Sequence, residues 1–193
     1  MNLQRMTKAL LAAVLLAAAH AANAVITLSP STSGVIAGYG YGPANCEPDC
    51  VSEVFGLGGS TLELLYKAEA EFLVADEEGP YRHSYSTVFY NSLLDPSNAV
   101  LTWNLGPIID CSSCYLAIKD GNHSPGYYFY DLSGWNGVEL ISLQNFWPRQ
   151  GAISHISIWG VTGGDHSVPE PATLGLLGLG LIGVGLARRK RRA

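Results

Sequence analysis

Short apolar and aromatic runs recur along residues 25–166, and Gly, Pro, Asn or Asp residues separate them. Runs of this length between turn residues are typical of β-strands. They predict strands at Val25–Leu28, Val51–Leu57, Leu62–Lys67, Ala70–Ala75, Tyr85–Tyr90, Ala99–Trp103, Tyr115–Lys119, Tyr127–Asp131, Val138–Leu143 and Ile153–Val161. About ten short strands in one domain predict an all-β fold, an antiparallel β-sandwich of jelly-roll-like type.

The clearest alternation of apolar and polar positions lies within residues 64–72. One set of positions holds Leu64, Tyr66, Ala68, Ala70 and Phe72, and the intervening set holds Leu65, Lys67, Glu69 and Glu71. Alternation with a period of two indicates a half-buried strand or hairpin arm. Leu, Ala, Glu and Lys are also good helix formers, so a helix remains the alternative for this segment.

The first 24 residues have the pattern of a cleavable secretory signal. Arg5 and Lys8 precede an uncharged apolar run at residues 9–19, and Ala22-Asn23-Ala24 follows. The apolar run is 11 residues long, which is too short for a bilayer core of about 30 Å. We therefore expect residues 1–24 to be a signal peptide that is cleaved after Ala24, and the mature protein to be exported.

A second uncharged apolar stretch occupies residues 172–187, near the C-terminus. As a helix its 16 residues would extend about 24 Å, and the side chains of Arg188 and Arg189 can reach the membrane interface. Cytoplasmic flanks of membrane helices are enriched in Lys and Arg. The pattern predicts a transmembrane helix whose basic end, residues 188–192, stays in the cytoplasm while the body lies outside.

The tail as a whole has three parts in a fixed order at the extreme C-terminus. It begins with Val168-Pro169-Glu170-Pro171, continues with the apolar stretch, and ends with Arg188, Arg189, Lys190, Arg191 and Arg192. This order closely resembles the PEP-CTERM sorting signal of exported proteins in Gram-negative bacteria. The resemblance defines a sorting tail at residues 167–193, which follows a β-sandwich domain at residues 25–166.

What the resemblance implies is a processing partner and a destination. Such tails are recognised by an exosortase, a membrane-embedded enzyme similar to cysteine transpeptidases. It would process the chain near Pro169-Glu170-Pro171 after transient membrane anchoring, and deliver the body to the cell surface or the extracellular matrix. Proteins of this kind commonly accompany exopolysaccharide and biofilm production, so extracellular polysaccharide is an expected partner.

The net charge of −5 conceals a much more acidic body. Between residues 25 and 166 there are four basic residues (Lys67, Arg82, Lys119 and Arg149) and fifteen acidic ones, a net charge of −11. Because nucleic-acid binders neutralise phosphates with Lys and Arg, this balance excludes a general nucleic-acid binder. It also means that attachment to a polysaccharide requires neutral sugars, aromatic stacking or bridging cations.

Four cysteines occur as two close pairs, Cys46 with Cys50 and Cys111 with Cys114. An even number in an exported chain predicts disulfide bonds, because the periplasm is oxidising. The sequence leaves three pairings open, since either local bridges or cross-pairing would satisfy all four residues. A four-thiolate zinc site is the alternative. A redox Cys-x-x-Cys is disfavoured because no βαβ pattern surrounds Cys111 and Cys114.

No catalytic constellation stands out in the body. His83, His123, His155 and His166 are scattered, without the HExxH or GxSxG spacing of known hydrolases. The acidic run Asp76-Glu77-Glu78 is typical of a solvated loop rather than a calcium site. Asp131 and Glu139 are available as a carboxylate pair, but spacing in sequence does not support a glycosidase. We expect a non-enzymatic protein without cofactor or metal.

Aromatic residues are frequent in the C-terminal half. They are Trp103, Trp135, Trp147 and Trp159, together with the run Tyr127-Tyr128-Phe129-Tyr130. Most should pack in the core, but alternate residues of a strand face opposite sides, so up to two of the run could be exposed and stack on sugars. A structural surface or matrix component is therefore the favoured function. A carbohydrate-binding module and a secreted hydrolase are the alternatives.

Overall fold

A computed structural model describes residues 24–38, 45–58, 61–72, 74–110, 113–121, 123–148 and 151–161. Most of the predicted signal peptide, including Ala22, lies outside the described residues, as does the sorting tail with Val168–Pro171, the apolar stretch 172–187 and the basic end 188–192. Among the residues that are described, no helix is long and apolar enough to cross a membrane.

Ten strands and one short helix make up the described chain. They are β1 (Val25–Leu28), β2 (Ile36–Gly38), α1 (Asp49–Val54), β3 (Leu62–Glu69), β4 (Asp76–Glu78), β5 (Tyr85–Tyr90), β6 (Asn98–Trp103), β7 (Cys114–Asp120), β8 (Tyr127–Asp131), β9 (Leu140–Leu143) and β10 (Ile153–Val161). The prediction of an all-β domain is confirmed. The bounds of β1, β5, β8 and β10 are those expected from the apolar runs.

The strands form two sheets. One has four strands in the order β1-β9-β6-β5, and the other has six in the order β2-β8-β7-β10-β3-β4. Every described strand pair is antiparallel except β1 with β9, which is parallel. A jelly roll has about eight strands. The described residues form ten strands, four in one sheet and six in the other.

One hydrophobic core is shared by the two sheets. The four-stranded sheet contributes Leu28, Ala99, Leu101, Ile141 and Leu143, and the six-stranded sheet contributes Tyr66, Ala68, Leu116, Ile118, Tyr130, Ile156 and Ile158. Two sheets that bury their facing sides against each other are what a β-sandwich requires. The alternation predicted in residues 64–72 supplies part of this core, and the strand alternative is the one observed, up to Glu69.

The segment predicted as a strand at Val51–Leu57 is instead the region of α1, so that prediction is wrong. Cys50, Val51, Val54 and Phe55 have the spacing of one helical face and pack against the six-stranded sheet. The signal that could have revealed the helix is local. Asp49 stands in the first turn, directly after Pro48, and a carboxylate there is favourable because it faces the positive end of the helix dipole.

The predicted strand at Ala70–Ala75 is also wrong. The N–H of Ala70 donates to the Ser154 carbonyl at 2.8 Å, and the chain then turns outward, with Phe72 and Val74 exposed. The short strand β4 follows at Asp76–Glu78 and pairs with β3 at the edge of the sheet. The acidic run is therefore an edge strand and not the solvated loop that the sequence predicted. The exposed carboxylates of Asp76 and Glu78 oppose pairing of this edge with a second sheet.

The strand predicted from Val138 begins later, at Leu140. The side-chain oxygen of Asn136 accepts hydrogen bonds from the N–H groups of Val138 and Glu139, both at 2.9 Å. This Asx turn holds the two residues out of the sheet. β9 can therefore start only after the turn.

Candidate functional site

A disulfide joins Cys46 to Cys50 on the outer face of the six-stranded sheet, with 5.4 Å between the two Cα atoms. Cys114 is also disulfide-bonded, and Cys111 lies outside the described residues. Of the pairings that the sequence left open, the structure contains the local bridge. Cross-pairing and a four-thiolate zinc site are therefore wrong for Cys46 and Cys50.

The disulfide closes a short loop that inserts Glu47 into a polar cluster on this face. Its carboxylate accepts hydrogen bonds from the Ser157 hydroxyl at 2.5 Å and from the Tyr127 hydroxyl at 3.4 Å. Both carboxylate oxygens lie 3.1 Å from Nε2 of His155. A carboxylate only accepts hydrogen bonds, so Nε2 carries the proton in this contact. We call Glu47, Tyr127, His155 and Ser157 the Glu47 cluster.

The strand pairing explains why these side chains meet. His155 and Ser157 alternate along β10, so both point to the outer face of the sheet. Tyr127 lies on β8 and reaches the same face beyond the intervening strand β7. Trp159, two residues further along β10, donates its indole N–H to the Ser157 hydroxyl at 2.9 Å. The helix α1 and its disulfide then place Glu47 over this row.

Burial makes the cluster electrostatically important. The side chains of His155 and Glu47 are only 3% and 4% exposed. Burial raises the pKa of the Glu47 carboxyl, but the hydrogen bond and charge of His155, the Ser157 hydroxyl and the charge of Lys67 together hold that pKa below its usual value. The same burial, with the nearby Glu47 charge, raises the pKa of the Tyr127 hydroxyl.

A Glu, a His and a Ser in contact resemble the parts of a hydrolase, but their connections differ. In a catalytic triad the serine donates to the histidine, which then removes its proton. Here Ser157 donates to Glu47 and is fully buried. Because no substrate carbonyl can reach a fully buried hydroxyl, the Glu47 cluster acts by holding the loop 46–50 and α1 on the sheet.

The cluster predicts a specific loss of stability in acid. A lowered pKa in the folded state means that the Glu47 contribution is complete above the unfolded value of 4.5 and is lost as pH falls through the folded pKa. We expect the free energy of unfolding of the native protein to fall more steeply below pH 4.5 than that of Glu47→Gln. Urea unfolding followed by tryptophan fluorescence from pH 7 to pH 3 measures both. Parallel curves for the two proteins would contradict the assignment.

The other residues singled out from the sequence are dispersed. His83 is exposed between β4 and β5, whereas His123 lies in the loop between β7 and β8. Asp131 accepts a hydrogen bond from the Ser133 N–H at 2.7 Å and so closes a turn. His166 lies outside the described residues. Within the part of the chain that the structure describes, no group of three His, Cys, Asp or Glu side chains could hold a metal ion.

Glu77, the central residue of the acidic run 76–78, makes hydrogen bonds that stabilise the fold. The carboxylate of Glu77 on β4 accepts hydrogen bonds from the Tyr66 hydroxyl and from the Thr87 N–H, both at 2.9 Å. Burial and the adjacent Glu77 charge raise the pKa of the Tyr66 hydroxyl. The central carboxylate therefore joins β3, β4 and β5 across the gap between the two sheets.

The aromatic run on β8 does not present a stacking surface. Tyr127, Phe129 and Tyr130 are buried and Tyr128 is half-buried. The tryptophans are largely covered, as expected for most of the aromatic residues: Trp135 and Trp147 are buried, and Trp103 and Trp159 are half-buried. The expectation that the run exposes aromatic rings to a polysaccharide is wrong, because both faces of β8 are packed, one against the core and one under α1.

Comparison with known proteins adds one finding, and it concerns the tail. The family model of the PEP-CTERM protein-sorting motif matches residues 167–192. No curated protein and no solved structure matches the chain. The matched residues include the Pro169-Glu170-Pro171 motif, the apolar stretch and the basic end, which are the three parts recognised in the sequence. The chain therefore carries a PEP-CTERM protein-sorting motif at its C-terminus.

Proposed function

We propose that this protein is exported and then sorted by an exosortase to the cell surface or the extracellular matrix. The observation that carries the proposal is the match of residues 167–192 to the sorting motif. The N-terminal signal pattern at residues 1–24 supports export, and the apolar stretch at residues 172–187 with its basic end supports a transient membrane anchor. The exosortase would act near Pro169-Glu170-Pro171.

We further propose that the delivered body is a β-sandwich that serves as a structural or exopolysaccharide-associated component of the surface. Two sheets around one core, a local disulfide and the acidic edge strand β4 favour a domain that remains folded outside the cell without aggregating. Carbohydrate binding is the second function. It is supported by a polar depression at one end of the body, which is described below, and not by exposed aromatic rings.

Deleting the exosortase of the host tests the sorting proposal directly. We expect a shorter form at the surface or in the medium of wild-type cells, and a longer, membrane-bound form in the deletion strain. The physical reason is that an unprocessed apolar stretch keeps the chain in the bilayer. Fractionation and immunoblotting with an antibody to the body measure both forms, and mass spectrometry of the short form gives its C-terminus. An identical distribution in the two strains would refute the proposal.

A further inference from the structure

Two depressions on the described surface differ in chemistry. One has a volume of about 390 Å³ and is bordered by apolar side chains that include Val74, Val88 and Leu94. The other, of about 570 Å³, is lined mostly by residues with polar side chains, among them Asn91, Asp95, Ser97, His123 and Asn145. Pockets that bind small molecules span roughly 300–1,000 Å³. The polar depression, which we call the loop-end pocket, has a suitable size and hydrogen-bonding groups.

Three loops build the loop-end pocket. They connect β5 to β6, β7 to β8 and β9 to β10, and each contributes lining residues. Asn91 donates to the Ser97 hydroxyl at 2.7 Å within the first loop. The side-chain oxygen of Asn98, at the start of β6, accepts a hydrogen bond from the Asn145 N–H at 2.8 Å. The polar groups are thus held in place by bonds within and between loops, which reduces the ordering cost of binding.

His123 is oriented by a buried carboxylate. Asp120, whose side chain is 1% exposed, accepts hydrogen bonds from the N–H groups of His123 at 2.7 Å and Ala152 at 2.8 Å. One of its oxygens also lies 3.2 Å from Nδ1 of His123. Because the carboxylate accepts, this contact favours the tautomer with the proton on Nδ1, in which Nε2 is the acceptor. The ring itself is 42% exposed.

The backbone around the pocket adopts unusual conformations. Asn91, Asn145 and Trp147 have positive φ angles of 85°, 59° and 45°, although non-glycine residues seldom do so. Residues in such conformations concentrate at binding sites. Gly151 also lines the pocket, and a Cβ atom at this position would lie only 2.8 Å from Nδ1 of His123. The absence of a side chain at Gly151 is therefore what leaves room for the Asp120–His123 pair.

We infer that the loop-end pocket binds a neutral saccharide, with Asp95 and Nε2 of His123 accepting hydrogen bonds from sugar hydroxyls and the amides of Asn91 and Asn145 contributing further ones. The amide, hydroxyl, imidazole and carboxylate groups of the lining match a ligand rich in hydroxyl groups. The body carries four basic and fifteen acidic residues, so an anionic sugar would be repelled. The inference rests on the second proposed function, carbohydrate binding, and deepens it by naming the pocket and the class of sugar; it does not depend on exosortase processing.

Saccharide binding by the purified full-length chain tests the inference. The probes are neutral gluco-, manno- and galacto-oligosaccharides, with oligogalacturonates as anionic counterparts, and isothermal titration calorimetry gives the affinities. We expect at least one neutral series to bind, and Asp95→Asn and His123→Ala each to weaken that binding by about tenfold or more. His83→Ala removes an exposed histidine remote from the pocket lining and should leave the affinity unchanged.

The outcomes separate this inference from the sorting proposal. Failure of all neutral probes to bind at millimolar concentration, preference for the oligogalacturonates, or unchanged affinity in both pocket variants would each overturn it. Asp95 is exposed and its side chain can be exchanged for the isosteric Asn without loss of core contacts, so this variant remains informative if His123→Ala lowers the Tm. Exosortase processing is measured by fractionation and does not depend on sugar binding.

Discussion

Cells that produce the chain with alanines at Pro169, Glu170 and Pro171 should retain nearly all of it as a full-length, membrane-bound form. Proline fixes its own φ and favours an extended conformation in the residue before it. Alanine at all three positions removes both prolines and the Glu170 carboxylate, which are the residues that define the motif. Losing a recognition contact worth about 2 kcal/mol lowers the affinity of the exosortase for the tail about 30-fold. We therefore expect the processed fraction to fall by at least the same factor.

Fractionation followed by immunoblotting of surface, medium and membrane fractions measures this effect. A matched control replaces Gly163, Gly164 and Asp165 with alanine, which changes three residues and removes one carboxylate outside the motif. This control should be processed normally. Processing of the Pro169, Glu170 and Pro171 variant at the normal level would show that the motif is not what the exosortase recognises.

Replacing Glu47 with alanine should destabilise the body by about 3–5 kcal/mol, because each buried donor that is left without its acceptor costs about 1–3 kcal/mol. The Ser157 hydroxyl and Nε2 of His155 would both lose their acceptor in a site that water does not reach. The loop 46–50 would lose its polar attachment to β10 as well. Because stability of the whole fold is commonly 5–15 kcal/mol, this loss should be visible as a much lower Tm.

Urea unfolding at pH 7 measures the loss, with Glu63→Ala as the control. Glu63 is an exposed carboxylate on β3, and its removal should change stability by no more than about 0.5 kcal/mol. Glu47→Gln keeps an acceptor oxygen and should fall between the native protein and Glu47→Ala. If Glu47→Ala and Glu63→Ala unfolded at the same urea concentration, the Glu47 cluster would have no structural role.

Local pattern was sufficient for most strands. At Tyr85–Tyr90 and Tyr127–Asp131 the apolar run and its flanking turn residues define both ends of the strand, because alternation and turn chemistry act between near neighbours. The pattern failed at residues 51–57 and 70–75. In these two segments the secondary structure depended on tertiary contacts. α1 packs on a face of the six-stranded sheet, whereas Phe72 and Val74, after Ala70, remain exposed.

The sites could not be predicted in the same way. Glu47 and His155 are 108 residues apart in sequence, and neither lies in a motif that would associate them. His123 was one of four scattered histidines until the chain brought the loops of Asp95 and Asn145 around it. Such contacts are set by the order of strands in the sheets, which no spacing along the chain encodes.

By itself the sequence determined the sorting motif of this protein and the class of its fold. A sorting motif is recognised as a contiguous segment, so its chemistry is complete in the order of Pro169-Glu170-Pro171, the apolar stretch and the basic end. Only the tertiary structure decided the local disulfide at Cys46, the buried Glu47 cluster and the loop-end pocket. The physical reason is that burial and hydrogen-bond partners arise from strands and loops that are distant in sequence and adjacent in space.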